Sequence, residues 1–229
     1  MISEVAARYR DDLAPAIDRV WEDGVAAIRA DLREWLRRAS EDDSGYVPWH
    51  FELSFGLEHQ PEPRESDPQS VPGAVDLDCG IRLRGSIDLV ERSPAGQLRV
   101  TDHKTGKAGC KAGQTVHGGQ SLQPLLYALV AEKLFVGQTV TSGRLYFCTS
   151  TGGFTEQVVP LNEQSRDAAC QVADAVGEAL AQPFLPAAPD KGQCDICDYR
   201  VICGPHEERR TARKDQGRIG PLLGVRGLP

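Results

Sequence analysis

Two aspartates and a lysine near the middle of the chain, Asp88, Asp102 and Lys104, have types and spacing that could do chemistry. Ser93-Pro94-Ala95-Gly96 between them has the composition of a turn. If the flanking strands pair symmetrically about residue 95, positions summing to about 190 face each other. That condition holds for Asp88 and Asp102 and sets their side chains roughly 5–8 Å apart. Asp102 and Lys104, two apart on one strand, point to the same face. Leu98 and Val100 share that parity, so the face begins apolar and ends charged. Acids and a lysine at the end of a buried face are costly unless they bind something. Clustered carboxylates that ligate through oxygen suit Mg2+ or Mn2+. Glu52, on the polar side of an earlier strand, is a candidate further ligand. Taken singly, each acid reads as half of a surface ion pair, Asp102 with Lys104 or Asp88 with Arg84.

A second group lies near the C-terminus. The chain has seven cysteines, an odd number, and Cys194, Cys197 and Cys203 crowd into ten residues. In a reducing compartment such crowding points to a metal or a cluster before a disulfide.

These residues need elements to hold them. From about 11 to 39, Ile17, Val20, Trp21, Val25, Ile28, Leu32, Trp35 and Leu36 recur every three or four positions. This predicts a helix with one apolar stripe facing the core. Trp49, Phe51, Leu53 and Phe55 then alternate with His50, Glu52 and Ser54, the period of a half-buried strand. Residues 58–79, rich in Pro, Glu, Asp and Ser, read as a surface loop. Ile81 to Leu89 and Leu98 to Lys104 predict the next two strands. A glycine-rich loop follows, and then a helix capped by Ser121, with Leu122, Leu125, Leu126, Leu129 and Leu134 as its buried face. Two more strands, about 141–149 and 154–160, flank Thr151-Gly152-Gly153, and Asn162 starts a helix to about 181. The expected fold is a mixed α/β domain, with helices covering a sheet. A cysteine-rich segment follows, and then a basic, mobile tail over 207–229.

With 229 residues, 40% hydrophobic, the chain is long enough for one domain with a proper core. No apolar run is long enough to span a membrane, and the acidic start Met1-Ile2-Ser3-Glu4-Val5 does not read as a signal peptide. The expectation is a cytoplasmic protein. The net charge of −7 argues against a nucleic-acid partner at first sight. The charge is uneven, however: residues 1–80 hold 18 acids and 8 bases, and the remainder 15 acids and 18 bases. Arg82–Lys111 and Arg200 to the end each carry 7 bases against 3 acids, so a phosphate backbone still has places to bind.

Gly85-Ser86-Ile87-Asp88 followed by Thr101-Asp102-His103-Lys104-Thr105-Gly106 resembles the core of the PD-(D/E)XK nuclease superfamily, in its RecB-like branch. That branch has an Asp ending a G-x-x-D strand, then D-x-K, often continued as T-G, and a downstream Q-x-x-x-Y helix. Gln123-Pro124-Leu125-Leu126-Tyr127 matches the last, with both polar residues on one helix face. Cys194-x2-Cys197-x5-Cys203 is similar to the three-cysteine end of AddB-type helicase–nuclease subunits. In those proteins an iron–sulfur cluster is completed by a distant N-terminal cysteine. The resemblance runs from about Trp49 to Pro205 and departs twice. The family's histidine on an upstream helix has no match, and no cysteine precedes Cys79. Both absences fit either the C-terminal piece of a longer subunit or a stand-alone relative. A zinc site of Cys194, Cys197, Cys203 and His206 is the rival to a 4Fe-4S cluster.

The resemblance implies a restriction-endonuclease-like α/β/α core with a mixed central sheet, spanning 1–206 and including the cysteine segment 194–203. It further implies an Mg2+- or Mn2+-dependent deoxyribonuclease acting in DNA end processing, recombination and double-strand-break repair, with helicase subunits as partners. Asp88, Asp102 and the backbone carbonyl of His103 would hold metal, and Glu52 metal or water. Lys104 would orient the attacking water and offset developing negative charge. Gln123, Tyr127, Lys107 and Lys111 would contact the DNA backbone. The alternative is an inactive DNA-binding or scaffold module with a structural metal or cluster. Other chemistries find no support. Gly106-Lys107 lacks the spacing of a phosphate-binding loop, and neither a G-x-S-x-G elbow nor an H-E-x-x-H helix occurs.

Overall fold

The computed structural model describes residues 1–57, 67–109, 113–182 and 186–229. In chain order these form α1 (Ile2–Leu13), α2 (Asp18–Glu41), β1 (Val47–Phe55) and a short hairpin of β2 (Val75–Asp76) with β3 (Arg82–Leu83). There follow β4 (Gly85–Arg92), β5 (Leu98–Lys104), α3 (Gln123–Leu134), β6 (Val140–Phe147), β7 (Glu156–Pro160) and α4 (Glu163–Ala181). Three short helices complete the chain, α5 (Arg200–Cys203), α6 (Glu207–Thr211) and α7 (Gln216–Arg226).

The main sheet runs β1-β4-β5-β6-β7, antiparallel throughout except for the parallel pair β5–β6. A parallel pair needs a crossover, and α3 supplies it. The mixed sheet flanked by helices is the restriction-endonuclease-like architecture expected. The β4–β5 turn closes with Ser93 N–H donating to Gln97 O at 2.8 Å, and Gly96 takes the left-handed φ of 79°. The resulting register, Leu89 opposite Thr101 and Val90 opposite Val100, is the one the turn residues imply.

Alternation on the strands divides the residues between two faces. Leu53, Phe55, Ile87, Val90, Leu98 and Val100 form a continuous core with Leu125, Ala128 and Leu129 of α3. The helix lies very close to the sheet, because Gly143 of β6 leaves no room for a side chain: a Cβ there would be 1.7 Å from Pro124 O. The other face holds a buried charge cluster. Glu91 accepts two hydrogen bonds from Arg99 at 2.9 Å, one from Thr101 at 2.5 Å, and a fork from Arg144 at 3.0 and 3.1 Å. Burial pushes the Glu91 carboxyl up, but its arginine and threonine partners outweigh that and hold it below the ordinary range. The cluster ties β4, β5 and β6 together behind the strand that carries Asp102.

Several expectations are corrected. The single N-terminal helix is two, broken at Ala14-Pro15 where Ala14 turns left-handed with φ 41°. Its apolar stripe does not enter the core: no residue of α2 is buried, and Ile17, Val20 and Ile28 are more than half exposed. Those residues instead line an apolar groove with Val5 and Tyr9 of α1. In β1, Phe51 is exposed while His50, Leu53 and Phe55 face α3 or the core, because Glu52 at φ 50° interrupts the alternation. Part of the expected loop 58–79 is structured. Val75 and Leu77 are buried and join the core, whereas 58–66 lie outside the described residues. Ser121 does not cap α3: the cap is Leu122, and the buried Ser121 hydroxyl has no hydrogen-bond partner among the described residues. Asn162 does cap α4, in a reciprocal box with Ser165. The segment expected as a mobile tail is folded. Ile219 and Val225 of α7 are buried, and the carbonyl of Pro229 accepts from the N–H groups of Thr115, Val116 and His117.

Candidate active site

β5 brings three consecutive residues to the end of the sheet. Asp102 is buried, Lys104 is half-buried, and Lys104 Nζ lies 2.6 Å from Asp102 Oδ2. The same ammonium donates to Gln123 Oε1 at 2.6 Å, so the first residue of α3 pins the lysine from the helix side. Asp102 Oδ2 is nevertheless buried without a well-directed hydrogen bond, and Lys104 is its charge partner rather than an aligned donor. Burial pushes the Asp102 carboxyl up, Lys104 pulls it back, and the like charge of Asp88 adds to the rise. The net shift is upward.

Asp88 stands at the point where β4 and β5 part. Backbone pairing ends at Leu89 and Thr101, and the Asp88 carboxylate takes over, accepting from the His103 backbone N–H at 2.7 Å. This bond holds the Asp102–His103 peptide at the strand end. The His103 ring points away from the core face, edge-on to Trp35 of α2 with centroids 5.7 Å apart. Burial pushes its imidazole below the ordinary range despite Asp88 nearby.

These residues fit a divalent cation. Mg2+ is commonly held by one or two carboxylates and completes its shell with water, so the site needs two acids rather than a full cage. Asp102 Oδ2 is occupied by the Lys104 ammonium as folded, and a cation beside the carboxylate would further offset the burial that disfavours its charge. Among the described residues no three His, Cys, Asp or Glu side chains form a ready-made cage.

The other expected residues divide. Gln123 is at the site through Lys104. Tyr127 is one turn further along α3, its ring 6.0 Å from Phe55 and edge-on to it, close over Gly85, where a Cβ would be 3.2 Å from its hydroxyl. Glu52 is not drawn to the aspartate pair. It is exposed, and its carboxylate accepts a long bond of 3.4 Å from Ser86. Lys107 is exposed on the loop after β5, and Lys111 lies outside the described residues. Cys194 and Cys203 are half-buried, Cys197 is exposed, and all three are free thiols that are not gathered into a ligand set.

One carboxylate at this end had no mark in the sequence. Asp31 of α2 accepts from Ser150 N–H at 3.0 Å, and with Asp88 it raises the thiol of Cys148, which burial already pushes up. Cys148 in turn contacts the carbonyl of Lys104. Asp31 sits on the polar side of an amphipathic helix, where periodicity distinguishes no acid from another.

The acid pair, the adjoining lysine and the strand order agree with one outside comparison. A family model of the PD-(D/E)XK nuclease superfamily matches residues 2–204. The chain belongs to that superfamily. The match spans the strands that carry Asp88, Asp102 and Lys104. Nucleases of this superfamily usually use divalent metals such as Mg2+. Comparison with curated proteins gives no match.

Proposed function

We propose that the chain is a metal-dependent deoxyribonuclease that hydrolyses DNA phosphodiester bonds. The observation that carries this reading is the buried Asp102 oxygen without an aligned donor, beside Asp88 and next to a lysine fixed by Gln123. Asp88, Asp102 and the His103 carbonyl are the residues to hold Mg2+ or Mn2+. A metal held there would supply Lewis acidity toward the scissile phosphate and the attacking water. Lys104 keeps its ammonium at the mouth of the site, where it orients the attacking water by donation and offsets charge building on the phosphate. Gln123 fixes the lysine's direction. Tyr127, Lys107 and Lys111 are the proposed backbone contacts, on the loop and helix that follow β5.

The finer reading, a RecB-like nuclease similar to the end of AddB-type subunits, rests on the Q-x-x-x-Y helix and the cysteine spacing. It places the activity in DNA end processing during recombination and double-strand-break repair, beside helicase subunits. On this reading Cys194, Cys197 and Cys203 ligate an iron–sulfur cluster, with zinc as the rival. Their spacing supports this, while their side chains as folded do not converge.

The test is digestion of end-labelled linear DNA with and without Mg2+, comparing wild type with Lys104→Ala. Cleavage by wild type with metal, lost in the variant, supports the reading. A folded wild type that binds DNA and leaves it intact under Mg2+ and Mn2+ would leave the inactive binding module in its place.

A further inference from the structure

The apolar stripe of α2 outruns the sheet. Asp42, just after that helix, lies 3.8 Å from Arg99 near the start of β5, and Trp35 meets His103 near the strand's end. Arg38 stands over the Phe154 ring at 4.8 Å, and Asp31 accepts from Ser150 N–H beyond the end of β6. α2 therefore runs antiparallel to β5 and continues past the sheet end that carries Asp102 and Lys104. Its first residue, Asp18, lies about 20 Å beyond Asp31 along the helix axis. α1 folds back on this overhang, tied by Arg10 donating to Asp18 at 2.6 Å and Arg29 to Ser3 at 3.0 Å. Between the two helices lies an open apolar groove of about 740 Å³.

Val5, Tyr9, Ile17, Val20, Ile28 and Leu32 line this groove and are 38% to 65% exposed. With their neighbours in it they offer on the order of 400 Å² of apolar surface, taking about 100 Å² for a fully exposed large side chain. A standard interface takes about 800 Å² from each partner, and somewhat over half of that is apolar. The face is thus the size of one half of a dimer. Gly24, midway along α2, lies in the groove with nothing within 4 Å of a Cβ position, so another helix can come close to its backbone. The segment Ile2–Glu41 holds nine acids and seven arginines, interleaved. Such a rim can pair with its own image, whereas a phosphate backbone would meet net negative charge. We propose that a second copy of this chain covers the groove, the two helices of each copy packing on those of the other across a two-fold axis. Because the overhang extends from the sheet end with Asp102 and Lys104, both candidate sites would open beside the interface.

The test is sedimentation equilibrium of the full chain without DNA or metal at about 1–100 µM, the range in which an interface of standard size associates. The expected mass at the upper end is twice 24.9 kDa. Ile17→Asp and Val20→Asp should each weaken association by roughly 100-fold or more, because by symmetry the charge enters the interface twice. Ile17 is the N-cap of α2, where aspartate favours the helix, so that variant removes the contact while keeping the helix folded. Val136→Asp, at a position 88% exposed just after α3, is the control and should remain dimeric. A wild type that is monomeric throughout the range, or a dimer that survives both α2 variants, overturns the proposal. A monomer whose DNA affinity falls in Val20→Asp also overturns it and assigns the face to nucleic acid. The mass is read without DNA cleavage, so failure here and failure of the nuclease reading are separate results.

Discussion

Replacing Gly143 by alanine tests how the helix and the sheet together set the site. The added Cβ would stand 1.7 Å from the Pro124 carbonyl oxygen and 2.4 Å from its carbon. Ordinary carbon–oxygen contacts begin near about 3.3 Å, so the first turn of α3 must retreat by about 1.5 Å. It has little freedom to do so, because Pro124 and Leu125 are buried in that turn. Overpacking of this kind costs about 1–3 kcal/mol, and so direct a clash with backbone belongs at the upper end, about 3 kcal/mol. For a chain of this size that corresponds to a fall in Tm of roughly 6–12 °C. The same retreat carries Gln123 away from Lys104 and breaks their 2.6 Å contact, so cleavage falls even where the variant is fully folded. Urea unfolding measures the first effect and turnover at low temperature the second. Gly177→Ala is the control, because it lies inside α4 with nothing within 4 Å of an added Cβ. There alanine should stabilise by about 0.5–1 kcal/mol. A Gly143→Ala variant as stable as wild type would refute the close approach of α3 to β6.

Other outcomes follow from the charges. Glu91→Ala leaves Arg99 and Arg144 buried without their shared partner and should cost about 3–5 kcal/mol, measured by urea unfolding. Because the Glu91 carboxyl is held below its unfolded value, its contribution is present above the unfolded pKa and is lost as pH falls through the folded one. Acid titration of wild type should show that loss, and Glu91→Gln should flatten it. Asp102 has the opposite sign: raised by burial, its ionisation weakens the metal-free fold as pH rises through the carboxylate range. Asp102→Asn should therefore melt higher than wild type without metal, while Mg2+ or Mn2+ raises the Tm of wild type alone. Gln123→Ala, which removes one hydrogen bond to a charged group, should slow turnover by about 10- to 100-fold and spare metal-induced stabilisation.

The placement of the candidate residues was legible in the sequence wherever it is set by short spacing within one strand or across one turn. Asp102 and Lys104 share a face because strand side chains alternate, and the register set by the turn at Pro94 brings Asp88 to the point where β4 and β5 part, beside His103. Both are local consequences of backbone geometry, as is the cap that starts α4 at Asn162. Long-range packing decided the rest. The N-terminal stripe has the period of a core helix, yet no residue of α2 is buried and its apolar side lines a groove with α1 instead. A single left-handed residue, Glu52, reverses the alternation of β1, and no composition rule marks a glutamate for that conformation. The function of Gly143 depends on a carbonyl on another element. Periodicity reports which residues share a face, and only the assembled layers determine what that face meets.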